Sequence, residues 1–179
     1  MTCPWLPADV VCGLDTGKKM KNDIPKTNAM RILDGLGIPY SLATYEWNED
    51  HLDAVHAADM AGLDPDTVFK TIVMRNTDKK IFVFCVPAAF SVNPKKARHV
   101  TGSTDIALVK LEELQGLTGY IRGGCSPIGM KKLFPTFIEE LALVQDKIYV
   151  SAGLRGIQLC LSPQDLQKAS QAEFVDLSL

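Results

Sequence analysis

The chain has 179 residues, of which 46% are hydrophobic and 22% are charged, and its formal net charge is −2. This composition is typical of a globular domain with a substantial core, and the charge argues against strong non-specific nucleic-acid binding by the whole surface. The longest apolar runs are too short to span a membrane, and no basic segment precedes the apolar patch near residue 10. We therefore expect a cytoplasmic protein without membrane association.

The N-terminal stretch differs from the remainder. Residues 1–25 contain proline and glycine without a sustained period, which predicts an N-terminal extension ahead of a domain over 26–179. Met20 is a candidate natural start. Residues 1–19 are then an upstream translation artefact, a cloning remnant or an arm packed on the surface, and the sequence leaves the three open.

The order of the predicted elements favours an α+β domain with a mixed, curved sheet, because helices and strands do not alternate as βαβ units. Asp53 is expected to cap the second helix, and Gly37 and Gly62 to end the first two. The second and third strands are expected to form an antiparallel pair, with the nearly all-apolar third strand central. Helices are predicted from a Thr27 or Asn28 cap to Leu36, over 54–61, from Asn93, over 111–117 and from Ser162 to about 172, and strands over 38–45, 68–74, 80–87, 106–109, 135–139, 147–151, 157–161 and 174–178.

Lys70 lies within a strongly β-prone run, where strict alternation places it on one face with Val68 and Ile72. An unpaired charge on a buried face is costly, so this lysine should point into a cleft and meet an anionic or carbonyl group. The alternative is a lysine on an edge strand whose ammonium group reaches solvent.

A glycine-rich stretch over 119–129 holds four of the thirteen glycines. Such a density favours backbone with positive φ or close approach to a ligand, so we interpret it as a binding loop that aims N–H groups at an oxyanion or phosphate. A plain surface turn is the alternative. Neither a dinucleotide-binding fingerprint nor a Walker A sequence is present, and Cys125 within the loop has no identifiable general base.

Other candidate groups carry weaker signals. Ser151 ends a strand before a glycine turn, where its hydroxyl can bond that turn or contact a ligand. The odd number of cysteines, none in a Cys-x-x-Cys pair, favours a reducing compartment, and no histidine or cysteine spacing suits zinc. We predict neither a metal nor a cofactor. A modest phosphate-facing patch, or else ordinary solvated charge, is formed by Lys95, Lys96, Arg98, Lys131 and Lys132.

Four motifs together resemble the YbaK/EbsC family, the stand-alone relatives of the editing domain inserted in bacterial prolyl-tRNA synthetases. The resemblance covers about residues 26–179 in the family's order and spacing. The motifs are Lys26-Thr27-Asn28-Ala29-Met30, Val68-Phe69-Lys70-Thr71, Thr118-Gly119-Tyr120 through Gly123-Gly124-Cys125-Ser126-Pro127-Ile128-Gly129, and Tyr149-Val150-Ser151-Ala152-Gly153 through Arg155-Gly156.

The resemblance implies a single domain with a barrel-like sheet surrounded by helices, and an aminoacyl-tRNA deacylase that acts on mischarged tRNA. It implies a required lysine at Lys70, together with substrate-binding positions at Tyr45, Thr71, Gly123, Gly124, Ser151, Gly156 and Gln158. Prolyl-tRNA synthetase is the implied protein partner.

The subgroup that the chain resembles most removes cysteine from tRNA-Pro. There the substrate thiol is thought to attack its own ester carbonyl and to leave as a cyclic thiolactone, so that the protein supplies no nucleophile. Positioning of this kind can lower a barrier by about 7–11 kcal/mol. The absence of a catalytic triad or of paired catalytic carboxylates from the sequence fits such a mechanism.

Two positions depart from the family pattern. Many members carry an acidic residue where this chain has Gln158, and many carry a lysine where it has Leu154. These departures leave open how the substrate amino group is recognised. The substrate is therefore cysteinyl-tRNA-Pro (or Cys-tRNA-Cys), Ala-tRNA-Pro or another misacylated tRNA. A non-catalytic tRNA- or nucleotide-binding module is a further alternative.

Overall fold

The structure, a computed structural model, describes residues 24–50 and 52–178. The predicted extension over 1–25 therefore lies almost wholly outside the described residues, as do Cys3, Cys12 and His51. The α-helices of the described part are α1 (Asn28–Gly35), α2 (Ala54–Met60), α3 (Pro94–Thr101), α4 (Leu111–Thr118) and α5 (Pro163–Ser170). The strands are β1 (Ser41–Thr44), β2 (Phe69–Asn76), β3 (Ile81–Pro87), β4 (Ile106–Leu108), β5 (Thr136–Glu139), β6 (Ile148–Ser151), β7 (Ile157–Leu161) and β8 (Glu173–Val175).

Local capping explains where the helices begin and end. The side chains of Thr27, Asp53 and Asn93 each accept a hydrogen bond from a backbone N–H in the first turn of the helix that follows. Gly37 and Gly62 follow α1 and α2 with φ of +65°, a conformation that costs glycine little. The predicted starts and stops of these helices are confirmed, and Thr27 rather than Asn28 is the cap of α1.

The strands form a three-stranded sheet in the order β1-β7-β6 and a five-stranded sheet in the order β4-β2-β3-β5-β8. The β2–β3 pair is antiparallel, and all seven residues of β3 are buried, as predicted. The β3–β5 and β5–β8 pairs are parallel, so the larger sheet is mixed. A bridge between Val68 and Tyr149 joins the two sheets, which curve around a shared core without closing into a barrel.

The core between the sheets includes Phe69, Cys85 and Leu159, with α1 and α5 packed against it. A second, smaller cluster lies under α2, where Ala58 packs with Val68 and Ala88. Val68, directly before β2, and Phe69, its first residue, belong to different clusters, so consecutive residues here face opposite sides of the sheet. This alternation places Lys70 on the side that α2 covers.

Two features near the C-terminus were not predicted. A short 3-10 helix spans Glu140–Val144 directly after β5. The final predicted strand is present as the edge strand β8, but it ends at Val175, and Ser178 instead forms a bridge with Val92. None of the described helices is long and apolar enough to cross a membrane.

Candidate functional site

A cavity of about 610 Å³ lies beside β2, where α2 covers the junction of the two sheets. Its volume falls in the usual range for small-molecule sites. Six of the residues that the sequence and the resemblance single out line it: Tyr45, Lys70, Thr71, Gly123, Ser151 and Gln158. These residues come from four separate segments of the chain. Gly124 and Gly156 lie behind the wall and do not line it.

Lys70 enters the cavity from β2, at a point where the strand pairs with β3, whereas β4 pairs only with Met74–Asn76. Its Nζ donates a hydrogen bond of 2.9 Å to the backbone carbonyl of Ala88. The prediction that this lysine meets a carbonyl in a cleft is confirmed. The alternative placed Lys70 on an edge strand with its ammonium group in solvent; the strand is paired on one side only at Lys70, but the ammonium group bonds Ala88 O. Burial lowers the pKa of Lys70, and the negative charge of Asp53 offsets part of that effect.

Ser151 and Gln158 face each other across the β6–β7 pair. Ser151 Oγ accepts a hydrogen bond of 3.2 Å from the N–H of Gly153, so it does bond its own turn as one interpretation expected. A hydroxyl that accepts one bond still has its own hydrogen to donate. Ligand contact by Ser151 therefore stays compatible with the bond to the turn.

Two buried polar atoms in the cavity wall have no hydrogen-bond partner among the described residues. They are Oγ1 of Thr71 and Oε1 of Gln158, and Gln158 is only 5% exposed. The neighbour of Thr71 on β3 is Cys85, whose thiol is a weak hydrogen-bonding group. Buried polar groups without partners are rare because each costs the free energy of its lost hydration. Because Thr71 also interacts with the Cys85 thiol and opposes the rise of its pKa, Gln158 Oε1 is the clearer sign of a ligand that brings a polar group of its own.

The glycine-rich stretch reaches the cavity only through its middle. Gly123, with φ of +80°, lies in the wall, where an added Cβ would be 3.1 Å from Leu52 Cδ2. The N–H of Gly124 instead donates to Ile121 O, so this donor is used within the loop. The C-terminal part of the stretch is held by a buried hydrogen bond of 2.7 Å that Tyr120 Oη donates to Ile128 O. The stretch is thus part binding wall and part buried support.

Arg155 ties the glycine-rich stretch to the segment after β1. Its Nε donates a hydrogen bond of 3.0 Å to Arg122 O, its guanidinium lies 4.9 Å from the Trp47 ring, and it forms an exposed ion pair with Glu49. Next to it, Gly156 O accepts from Tyr45 N at 3.0 Å. Burial raises the pKa of Tyr45, which keeps its hydroxyl protonated at neutral pH.

Sequence reasoning missed several residues of the wall. Asp53 was interpreted only as a helix cap, and Arg122 was not singled out within the glycine-rich stretch, yet both line the cavity. Three exposed apolar residues, Val55, Leu108 and Leu111, also line it. Their exposure could not be read from the sequence, where β4 and α4 show ordinary apolar patterns.

Two other candidates do not form part of a working site. Cys125 lines the cavity, but burial raises the pKa of its thiol to about 12, so it stays protonated and is a poor nucleophile at neutral pH. None of the five residues of the predicted basic patch lines the cavity, so the patch stays a prediction separate from this site. Lys96 bonds Asp176, and Lys131 bonds the backbone carbonyls of Gln115 and Gly116. Within residues 24–50 and 52–178, no group of three or more His, Cys, Asp or Glu side chains is arranged to hold a metal ion.

Comparison with known proteins gives a consistent assignment. The aminoacyl-tRNA editing domain family matches residues 48–169. An Enterococcus faecalis protein, provisionally named Cys-tRNA(Pro)/Cys-tRNA(Cys) deacylase EbsC, is 38% identical over 153 residues, which are 86% of this chain and 93% of the relative.

Two crystal structures share the fold at low sequence identity. One, provisionally described as a trans-editing enzyme for prolyl tRNA synthetase, has a TM-score of 0.70 at 21% identity and covers 85% of this chain and 97% of its own. The other, of a hypothetical protein, has a TM-score of 0.77 at 20% identity and covers 86% of this chain and 100% of its own. These two structures show the fold. The family match over residues 48–169 and the identity to the Enterococcus protein show that this chain belongs to the aminoacyl-tRNA editing domain family.

Proposed function

We propose that this protein is an aminoacyl-tRNA deacylase that acts in trans and removes cysteine from mischarged Cys-tRNA(Pro), with Cys-tRNA(Cys) as a further substrate. The observation that carries the proposal is the cavity around Lys70, in which Thr71 Oγ1 and Gln158 Oε1 lack partners. The 38% identity to a relative provisionally named for this activity supports the same substrate.

Lys70 is the proposed catalytic residue. Its ammonium group, now bonded to Ala88 O, can turn to the ester carbonyl oxygen or to a phosphate oxygen of the terminal nucleotide. A cation aimed at an oxygen where negative charge develops lowers the barrier of acyl transfer. Thr71, Ser151, Gln158, Tyr45 and the backbone of Gly123 are the proposed substrate-binding groups around it.

The reaction requires no nucleophile from the protein. The substrate thiol loses its proton and attacks the ester carbonyl carbon, a carbon–sulfur bond forms, and the bond from carbon to the ribose oxygen breaks. The ribose oxygen takes up the proton, and the products are a free 3′ end and a cyclic thiolactone. The protonated state of Cys125 supports this route, because it is the one thiol among the described residues of the wall and it is not poised to react.

Gly124 and Gly156 have a supporting role in this proposal. Gly124 packs against the backbone of residues 154 and 155, and Gly156 against Trp47 and the Tyr45 carbonyl. Both allow segments that are distant in sequence to approach closely beneath the wall. We assign them to the placement of Gly123 and Tyr45 and not to direct contact with the substrate.

Prolyl-tRNA synthetase is the proposed protein partner, and the cytoplasm, where tRNA is charged, is the proposed location. A net charge of −2 and a cavity wall with two cations, Lys70 and Arg122, suggest modest intrinsic affinity for tRNA. A synthetase that holds the same tRNA would raise the local concentration of substrate at the cavity.

The test is a single-turnover assay on tRNA-Pro charged with cysteine, alanine or proline, with and without the synthetase. We expect release of cysteine, and a fall of roughly 100-fold for Lys70→Ala, the usual cost of losing a group that stabilises an oxyanion. Lys168→Ala, which changes an exposed lysine of α5 outside the cavity, is the matched control and should leave the rate unchanged.

Methylation of the substrate thiol should abolish turnover if attack is internal. Faster release of alanine than of cysteine would replace the proposed substrate, because alanine carries no thiol and water must attack. Tight binding of the acceptor end without release of any amino acid would show that the protein is a non-catalytic binding module and not an enzyme. An unchanged rate of deacylation in Lys70→Ala would contradict the proposed catalytic role of Lys70.

A further inference from the structure

The cavity contains opposite charges at fixed positions. Among the described residues that line it, Asp53 supplies the single carboxylate, and Lys70 and Arg122 supply the cations. Lys70 comes from β2, whereas Asp53 comes from the N-terminus of α2. The cavity is therefore polarised, with an acidic group on the helix side and a basic group on the sheet side.

Asp53 is held in place by its capping role. Its Oδ1 accepts a hydrogen bond of 2.9 Å from the backbone N–H of His56. The helix itself is anchored, because Ala57 and Ala58 are buried and Ala58 packs with Val68. The side chain is exposed and carries its charge at neutral pH, since the backbone N–H of His56 lowers its pKa.

Asp53 and Lys70 influence each other without forming an ion pair. The charge of Asp53 raises the pKa of Lys70 against the effect of burial. Yet neither residue is in an ion pair within 4.0 Å among residues 24–50 and 52–178, and Lys70 bonds a carbonyl instead. Two opposite charges that share a cavity but stay apart leave room for a ligand with a cationic end and an electron-rich end.

An α-aminoacyl ester is such a ligand, because its ammonium group lies one carbon from the ester carbonyl. We infer that Asp53 binds the α-ammonium group of the aminoacyl ester while Lys70 faces the ester, so that the site selects aminoacyl groups with a free amine over N-acylated ones. This inference rests on the proposed function and deepens it. The unpartnered Gln158 Oε1 offers a further acceptor in the same wall, and an ammonium group has three N–H donors to distribute.

Two simpler roles for Asp53 make different predictions. If Asp53 only caps α2, its replacement by another capping residue leaves the deacylation rate of both substrates unchanged. If it acts only through the charge of Lys70, its replacement affects free and N-acylated substrates by the same factor. Direct binding of the ammonium group is the role that changes the ratio between them.

Asp53→Asn is the informative variant, because asparagine caps a helix as well as aspartate does and only the charge is lost. We would compare cysteinyl-tRNA-Pro with its N-acetyl-cysteinyl form in single-turnover assays. Wild type should prefer the free amine by roughly tenfold, as expected for a charge-assisted hydrogen bond, and the variant should lose most of that preference by slowing on the free-amine substrate. Asp59→Asn, on the same helix but outside the wall, should retain the preference.

A binding arm separates this inference from the proposed function. The probes are 3′-cysteinylamino-3′-deoxyadenosine, in which an amide replaces the ester, and its N-acetyl derivative, measured by calorimetry with wild type and Asp53→Asn. A preference for the free amine that disappears in Asp53→Asn supports the inference even if no tRNA is deacylated. Equal changes for both probes, or an unchanged ratio, overturn it even if deacylation is found. Thermal unfolding, with Asp53→Ser as a second capping variant, establishes that a lost preference is not lost folding.

Discussion

Gly124 lies where the backbone of another turn approaches its Cα. An added Cβ would be 3.1 Å from Arg155 N and 3.2 Å from Leu154 C, and these are backbone atoms that cannot rotate away. The need for glycine here comes from contact with a distant segment, since its φ is not positive. The same contact sets the depth at which Gly123 enters the cavity wall.

Gly124→Ala should therefore lower the free energy of unfolding by about 1–3 kcal/mol, the usual cost of overpacking, and slow deacylation as well. Gly35→Ala is the matched control, because Gly35 lies in α1 with nothing within 4 Å of an added Cβ. That change should raise the free energy of unfolding by about 0.5–1 kcal/mol. Urea denaturation measures both, and equal stability of the two variants would contradict the packing argument.

At the scale of elements, Arg155 determines how the segment after β1 meets the glycine-rich stretch. It combines a hydrogen bond to Arg122 O, a contact with the Trp47 ring and a partly exposed ion pair with Glu49. The ion pair contributes little, because Glu49 is largely exposed to solvent. The planar guanidinium that both donates to a carbonyl and stacks on a ring is the feature that matters.

We therefore expect Arg155→Ala to raise KM by about 3–10-fold with a smaller effect on kcat, since the segment it holds borders the cavity but does not contain Lys70. Arg155→Lys should not rescue the loss, because an ammonium group lacks the planar fork. Glu49→Gln is the control and should resemble wild type. Steady-state kinetics on cysteinyl-tRNA-Pro measures KM and kcat for each variant. A wild-type KM in Arg155→Lys would show that only the positive charge matters.

The elements differ in how far the sequence predicts them. The caps at Thr27, Asp53 and Asn93 could be predicted because a cap depends on residues within three positions. The 3-10 helix after β5 could not, since its short pattern resembles a loop. The position of Asp53 in the cavity wall depends on how α2 packs against Val68, a contact between segments that no local pattern encodes.

The site shows the same division. Lys70 and Ser151 attracted notice as single residues, because a lysine on an apolar face and a serine at a strand end are unusual. Tyr45, Thr71 and Gly156 came from the family resemblance alone. The unpartnered state of Gln158 Oε1 needed the folded structure, because it depends on what the other segments fail to offer it.

At the scale of the whole molecule, buried thiol and phenol groups make the protein less stable at alkaline pH. Burial raises the thiol pKa of Cys85 and of Cys125 to about 12 from an ordinary value of 9.0. Burial also raises the pKa of Tyr120 to about 12. Between these limits the unfolded chain releases protons that the folded chain keeps, so the folded state binds more protons and the free energy of unfolding falls as pH rises.

Each fully shifted thiol can contribute a slope of up to about 1.4 kcal/mol per pH unit above pH 9. Cys125→Ala should remove one such contribution, so its free energy of unfolding should fall less steeply than that of wild type between pH 9 and 10.5. Val109→Ala, which shortens a neighbour in the same apolar cluster without removing a titrating group, should be less stable throughout but parallel to wild type. Urea denaturation at several pH values under reducing conditions measures the slopes. A Cys125→Ala slope equal to that of wild type would mean that water reaches this thiol and that folding does not raise its pKa. The argument that Cys125 is too well protonated to act as a nucleophile would then be contradicted.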